Sequence, residues 1–184
     1  PYAFPAFLAT LVWKGMLNTD FGFINQVFLG GAHVPWLDNG LLAKLSILGV
    51  NLWLGFPYMF LVCLGALQSL PGDIEEAAKI DGASGLRTVW SIKLPLVLQS
   101  TVPLLIASFA FNFNNFSLIY MLTGGGPNYP GLSVPVGESD ILISMVYKIA
   151  IDSGTPNYGL ASAMSIVIFI VVGVIAWLGF RQTK

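Results

Sequence analysis

Three apolar runs, at about residues 41–69, 96–122 and 159–180, constrain this chain more than any other feature. About 20 apolar residues cross the hydrocarbon core of a bilayer as a helix, and each run meets that length. A fourth stretch, from Pro1 to about Met16, is apolar but short. The pattern reads as an all-α, polytopic membrane protein with about four membrane helices, spanning about 1–16, 41–69, 96–122 and 159–180 of one transmembrane domain covering 1–184. The chain opens in an apolar run without an initiator methionine or signal-peptide features, so it reads as a C-terminal fragment whose earlier helices are missing.

Composition agrees with a bilayer. Of 184 residues, 55% are hydrophobic and only 9% charged, with a mean hydropathy of +0.78, which is too apolar for an ordinary water-soluble domain. Eight Lys and Arg residues and a net charge of -1 form no basic stripe, so nucleic acid is not an expected partner. The single cysteine, Cys63, falls in an apolar run and reads as a small buried thiol.

Polar stretches at about 17–40, 70–95 and 123–158 separate the spans. Lys79, Arg87 and Lys93 lie in the middle stretch, and Arg181 and Lys184 end the chain; alternating spans put both regions on one side, and the positive-inside rule makes that side cytoplasmic. Lys148 belongs to the other side, with Lys14 and Lys44 at helix ends where they can snorkel. Ile141, Met145 and Ile149 recur every four residues beside Glu138, Asp140 and Lys148, the pattern of a short helix lying along the membrane surface. Trp13 and Trp36 sit where interfacial anchors are expected.

The middle loop reads as helix, turn, helix. Asp73 is the expected N-cap of the first helix, with Glu76 closing a capping box. Gly82 should end it, Ser84 should cap a second stretch running to about Ile92, and Pro95 should open the next membrane helix. The first helix is too polar for the bilayer and too short to stand alone, so it needs a partner. Exposed Glu75 and Glu76 beside Ala77 and Ala78 would let another backbone approach while the carboxylates meet its donors.

Glu76-Ala77-Ala78, three residues, Gly82, nine residues, then Ile92-Lys93-Leu94-Pro95 resembles the EAA signature of ABC importer permeases at every defined position. The resemblance implies a type I ABC importer permease core whose loop forms a coupling helix seated in a cleft of an ATP-binding subunit. Glu75, Glu76, Ala77, Ala78, Asp81 and Gly82 would be its coupling residues, with Glu76 the anchor. It also implies a homologous second permease subunit, two ATP-binding subunits and an extracytoplasmic solute-binding protein.

In the third run, Ser108, Asn112 and Asn115 share one helical face by their i, i+4, i+7 spacing, and in the preceding run Asn51, Gly55 and Tyr58 do the same. An unpaired amide in an apolar medium costs about 2 to 7 kcal/mol, so Asn112 and Asn115 must line a helix contact or a watered cavity. Periodicity alone leaves those two possibilities even. Pro57 and Gly55 are placed to bend the earlier helix and open it locally. Leu54-Gly55-Phe56-Pro57-Tyr58 and Ser108-Phe109-Ala110-Phe111-Asn112-Phe113-Asn114-Asn115-Phe116 resemble segments of the MalF-type maltose/maltodextrin permease family. That resemblance implies sugar contacts at Leu54, Gly55, Tyr58, Ser108, Asn112 and Asn115.

No charged residue is expected near the centre of a complete span, which fits a neutral solute. His33, the sole histidine, lies in an outer loop. Phosphate-binding loops, zinc motifs and a catalytic set are not found, so the chain reads as a transporter subunit and not an enzyme, with no cofactor or metal and with ATP handled elsewhere. Leu122-Thr123-Gly124-Gly125-Gly126-Pro127 resembles the family's outer end of this helix. Small residues at 159, 161, 163 and 165 allow close helix packing, for which the resemblance offers the second permease as a neighbour. The expected function is a cell inner-membrane, multi-pass permease subunit for a neutral oligosaccharide, maltose or maltodextrin first, with trehalose or another neutral sugar, or an ATP-independent carrier, as alternatives.

Overall fold

A computed structural model describes residues 1, 3–132, 134 and 136–182. Its helices are α1 (Ala6–Met16), α2 (Gly40–Gln68), α3 (Gly72–Ile80), α4 (Gly85–Thr88), α5 (Leu94–Phe113), α6 (Phe116–Leu122), α7 (Leu142–Tyr147) and α8 (Tyr158–Gln182). Short π-helical turns cover Ile24–Phe28, Val89–Lys93 and Lys148–Asp152. Gly40–Gln68, Gly85–Phe113 and Tyr158–Arg181 are long and apolar enough to cross a membrane, whereas Ala6–Met16 is a shorter apolar helix. Most of their apolar surface is exposed within the chain, as helices solvated by lipid or by neighbouring helices must be. Cys63 is on that uncovered surface, not buried, because its face of α2 is left open among the described residues.

The apolar run at 96–122 is not one helix. It breaks at Asn114 and Asn115, which lie between α5 and α6. Asn115 Oδ1 accepts from the Leu118 amide at 3.4 Å and caps α6, while Asn114 Nδ2 donates to the Ala110 carbonyl at 3.2 Å near the end of α5. Asparagine side chains offer the backbone these local alternatives to the helical ladder, so the break leaves polar groups satisfied where water is scarce.

The middle loop departs from expectation at its start. Pro71, not Asp73, occupies the N-cap of α3, and no side chain caps it. The fixed φ of proline sets the helix entry two residues early, which puts Asp73 inside the first turn, where its charge favours the helix dipole without capping. The end of α3 is as the glycine foretold. Gly82 has φ +75°, its amide donates to Lys79 O at 3.0 Å and the Ala83 amide to Ala78 O at 2.9 Å, the paired bonds of a Schellman ending. Ser84 caps α4 through Arg87 N at 3.4 Å. The backbone then continues without the interruption expected before Pro95: the Leu94 amide reaches back to Val89 O through a π-helical turn, which absorbs the donor missing at proline and joins α4 to α5.

Two apolar clusters hold the outer parts together. Leu17, Val50, Leu118 and Leu122 bring α1, α2 and α6 into contact, with Trp13, Trp36 and Leu54 packed around them. Val146, Ile149, Ala161 and Ile168 join α7 to α8, with Phe113 and Met145 alongside. Both tryptophans expected as lipid anchors therefore pack inward. Trp36 Nε1 donates at 2.8 Å to Asn25 Oδ1, and Asn25, fully buried, donates in turn to Thr19 O and Val34 O at 3.0 Å. Trp13 meets Trp53 edge-on with centroids 5.6 Å apart.

The segment expected as a surface helix with exposed charges differs most. Lys148 is buried, its Nζ 2.7 Å from Asp140 Oδ2. Asp140 also accepts from the Gly137 amide at 2.7 Å and the Ser144 hydroxyl at 2.8 Å. Periodicity placed these charges on the outside because it cannot register a partner eight positions away. Glu138 turns instead toward Lys44 of α2, at 3.6 Å.

Candidate functional site

A cavity of about 980 Å³ lies between α2, α5 and the first residues of the chain. Leu54, Gly55, Tyr58, Ser108, Asn112 and Asn115 all line it. Long-range packing of α2 on α5 brings the two sequence faces together, and the break after Asn114 leaves Asn115 on the cavity wall as the cap of α6.

The lining is polar on one side and apolar on the rest. Asn51 Nδ2 donates to Asn112 Oδ1 at 2.8 Å, Asn115 Nδ2 approaches Asn51 Oδ1 at 3.5 Å, and Asn112 Nδ2 donates to Ser108 O at 2.8 Å. Ser108 Oγ lies 3.9 Å from Met59 Sδ. Phe4, Phe56 and Phe111 add aromatic surface, and among the described residues no charged side chain takes part. A methyl group built at Gly55 would meet nothing within 4 Å, so this glycine leaves backbone open to the cavity. Amides, a hydroxyl and a phenol can exchange hydrogen bonds with a neutral polyol, and aromatic bodies can cover apolar ring faces.

Asn51 and Phe111 line the cavity beside the six residues read from sequence. Asn51 shares the spacing of Gly55 and Tyr58, so its place was legible in the periodicity. Phe111 was legible too, since helical spacing sets it beside the face of Ser108, Asn112 and Asn115, whereas Phe109, Phe113 and Phe116 fall mainly elsewhere. Asn114 points its amide to Ala110 and stands apart from the cavity lining.

The second group of residues lies on α3 and its ending. Glu76, Ala77, Asp81 and Gly82 are exposed, whereas Ala78 is buried within the chain. Glu75 is not an open carboxylate: Lys93 Nζ is 2.6 Å from Oε2 and Lys79 Nζ 3.3 Å from Oε1. The hydrogen bond from Lys93, then that from Lys79, holds the Glu75 pKa below the ordinary carboxylate value. Ile80, Leu86 and Trp90 are strongly exposed around this turn. Their apolar side chains in an otherwise polar loop were the available sequence signal for that surface.

Comparison with known proteins places these features in context. All of residues 1–184 match the family described as "Binding-protein-dependent transport system inner membrane component". The chain is 49% identical over 187 aligned residues to the maltose/maltodextrin transport system permease protein MalF of Vibrio parahaemolyticus, covering 100% of this chain and 36% of that protein. It is 43% identical to the MalF protein of Klebsiella aerogenes, with the same coverage. The chain thus spans about a third of the length of these relatives. A crystal structure of a bacterial ABC transporter involved in the import of the acidic polysaccharide alginate superposes with a TM-score of 0.82 at 20% identity, over 100% of this chain and 62% of that one, and shows a shared all-α fold. With the family match covering the whole chain, this polypeptide belongs to the inner membrane components of binding-protein-dependent transport systems.

Proposed function

We propose that this chain forms the translocation-path and coupling part of a permease subunit in an ATP-driven importer of neutral oligosaccharides, with maltose and maltodextrins as substrates. The observation that carries the reading is the uncharged cavity in which Ser108, Asn51, Asn112 and Asn115 cluster beside Tyr58 and aromatic rings. Relatives 42–49% identical across the chain are named as maltose/maltodextrin permeases, which supports the substrate class. In this reading residues 70–95 and the end of α8 face the cytoplasm. The exposed surface of α3 meets a separate ATP-binding subunit, a second permease completes the pathway, and a solute-binding protein delivers sugar from outside. The chain itself carries no hydrolytic chemistry.

The test is accumulation of labelled maltose by liposomes holding the full-length subunit with its partners, with and without ATP, and with unlabelled maltotriose or trehalose as competitors. Uptake that needs ATP and yields to maltotriose but not trehalose supports the proposal. Uptake without the ATP-binding subunit would point to a secondary carrier, and stronger competition by trehalose would reassign the sugar.

A further inference from the structure

The nine-residue α3 is joined to the long helix that follows by a turn at Gly82, a backbone joint in the left-handed region. Across that joint, among the described residues, the ion pair recorded between α3 and the helix of residues 85–113 is Glu75 with Lys93. Its 2.6 Å separation is that of a charge-assisted hydrogen bond, with the Lys93 side chain 24% and the Glu75 side chain 46% exposed, so the pair is held by its close geometry at a site water still reaches. Lys93 occupies the last position of the π-helical turn, immediately before α5. Lys79, one turn along α3, lies 3.3 Å from the other carboxylate oxygen.

We propose that Glu75 is a positioning residue for transport: its bond to Lys93 braces α3 against the base of α5, so that displacement of α3 is delivered to the helix carrying Ser108 and Asn112. This rests on α3 being the coupling helix. Without the brace, rotation within the four-residue connection 81–84 would absorb the motion, because a hinge transmits force poorly unless a second contact spans it. From Lys93 to Ser108 the continuous helix extends about 22 Å at about 1.5 Å per residue, a lever long enough to link the loop to the cavity. Glu75 thereby acts inside the chain, and the outward surface left for a partner is that of Glu76 and Ala77.

The experiment uses the full-length subunit assembled with its partner permease and ATP-binding subunits in liposomes, reading labelled maltose accumulated and ATP hydrolysed in the same vesicles. Glu75→Lys and Lys93→Glu should each lower sugar moved per ATP about five- to tenfold while the ATP-binding subunit still co-purifies, and the double exchange should return the ratio to within about twofold. Glu75→Gln, which keeps shape and removes charge, should fall between. A double exchange no better than either single change, an unaltered ratio in the single variants, or loss of the ATP-binding subunit from Glu75→Gln would overturn the brace. Glu76→Lys separates the two levels: if it impairs recruitment while the Glu75 series is silent, the brace alone fails, and if it too is silent, the coupling-helix reading fails with it.

Discussion

Asp140 and Lys148 form an ion pair at 2.7 Å with each side chain only 4% exposed. Removing one partner leaves the other charge buried, at a cost of about 3–5 kcal/mol, whereas replacing both by apolar groups is often close to neutral. Lys148→Met should therefore lower the thermal midpoint of the detergent-solubilised protein sharply, and Asp140→Leu with Lys148→Met should recover most of the loss. Scanning calorimetry or tryptophan fluorescence on the three proteins checks this.

Gly125 lies against the same pair. Its φ is +81°, and a Cβ there would fall on the Asp140 carboxylate. Gly125→Ala should destabilise by about 1–2 kcal/mol from backbone strain alone, and by more once Asp140 is displaced. In the Asp140→Ala background that second part should shrink to the contact with Lys148 Nζ at 2.6 Å, the flexible end of a side chain, a non-additivity that a double-mutant cycle measures directly.

Asn51 bonds Asn112 and approaches Asn115 across the cavity. Polar contacts between membrane helices contribute on average about 0.6 kcal/mol, so Asn51→Ala should shift the unfolding midpoint little. Taking away an amide that a sugar hydroxyl can bond costs about 0.5–1.5 kcal/mol, and maltose uptake should drop about tenfold. Comparing uptake with thermal stability for this one variant separates a cavity role from simple helix packing.

The lowered Glu75 pKa gives the brace a definite pH response. Because the folded value lies below the ordinary one of about 4.5, the pair's stabilisation is complete above that pH and is lost as pH falls through the folded value. The difference in stability between the unaltered protein and Glu75→Gln should stay constant at neutral pH and shrink only in acid below about pH 4.5. Thermal unfolding of both proteins across that range provides the measurement.

What could be read from sequence was what local spacing controls. The ending of α3 at Gly82, the Ser84 cap and the shared faces of Ser108 with Asn112 and of Gly55 with Tyr58 all follow from offsets of a few residues, and the structure keeps them. Lys148 was misplaced because its exposure is decided by Asp140 and Gly125, which the backbone brings together from separate turns. The break at Asn114 and Asn115 was invisible in a hydropathy average, since two capping amides barely alter an apolar run. The Glu75–Lys93 pair escaped the sequence for the same reason: Lys93 lies 18 positions away in sequence and 2.6 Å away in space.

The most direct test of the account is ATP-driven maltose uptake by the full-length transporter carrying Tyr58→Leu or Asn112→Ala, measured alongside co-purification of the ATP-binding subunit. The account predicts uptake reduced about tenfold or more, by loss of hydrogen-bonding groups from the cavity, with the ATP-binding subunit fully retained. Normal uptake in both variants would contradict it, because the sugar would then cross without using this cavity.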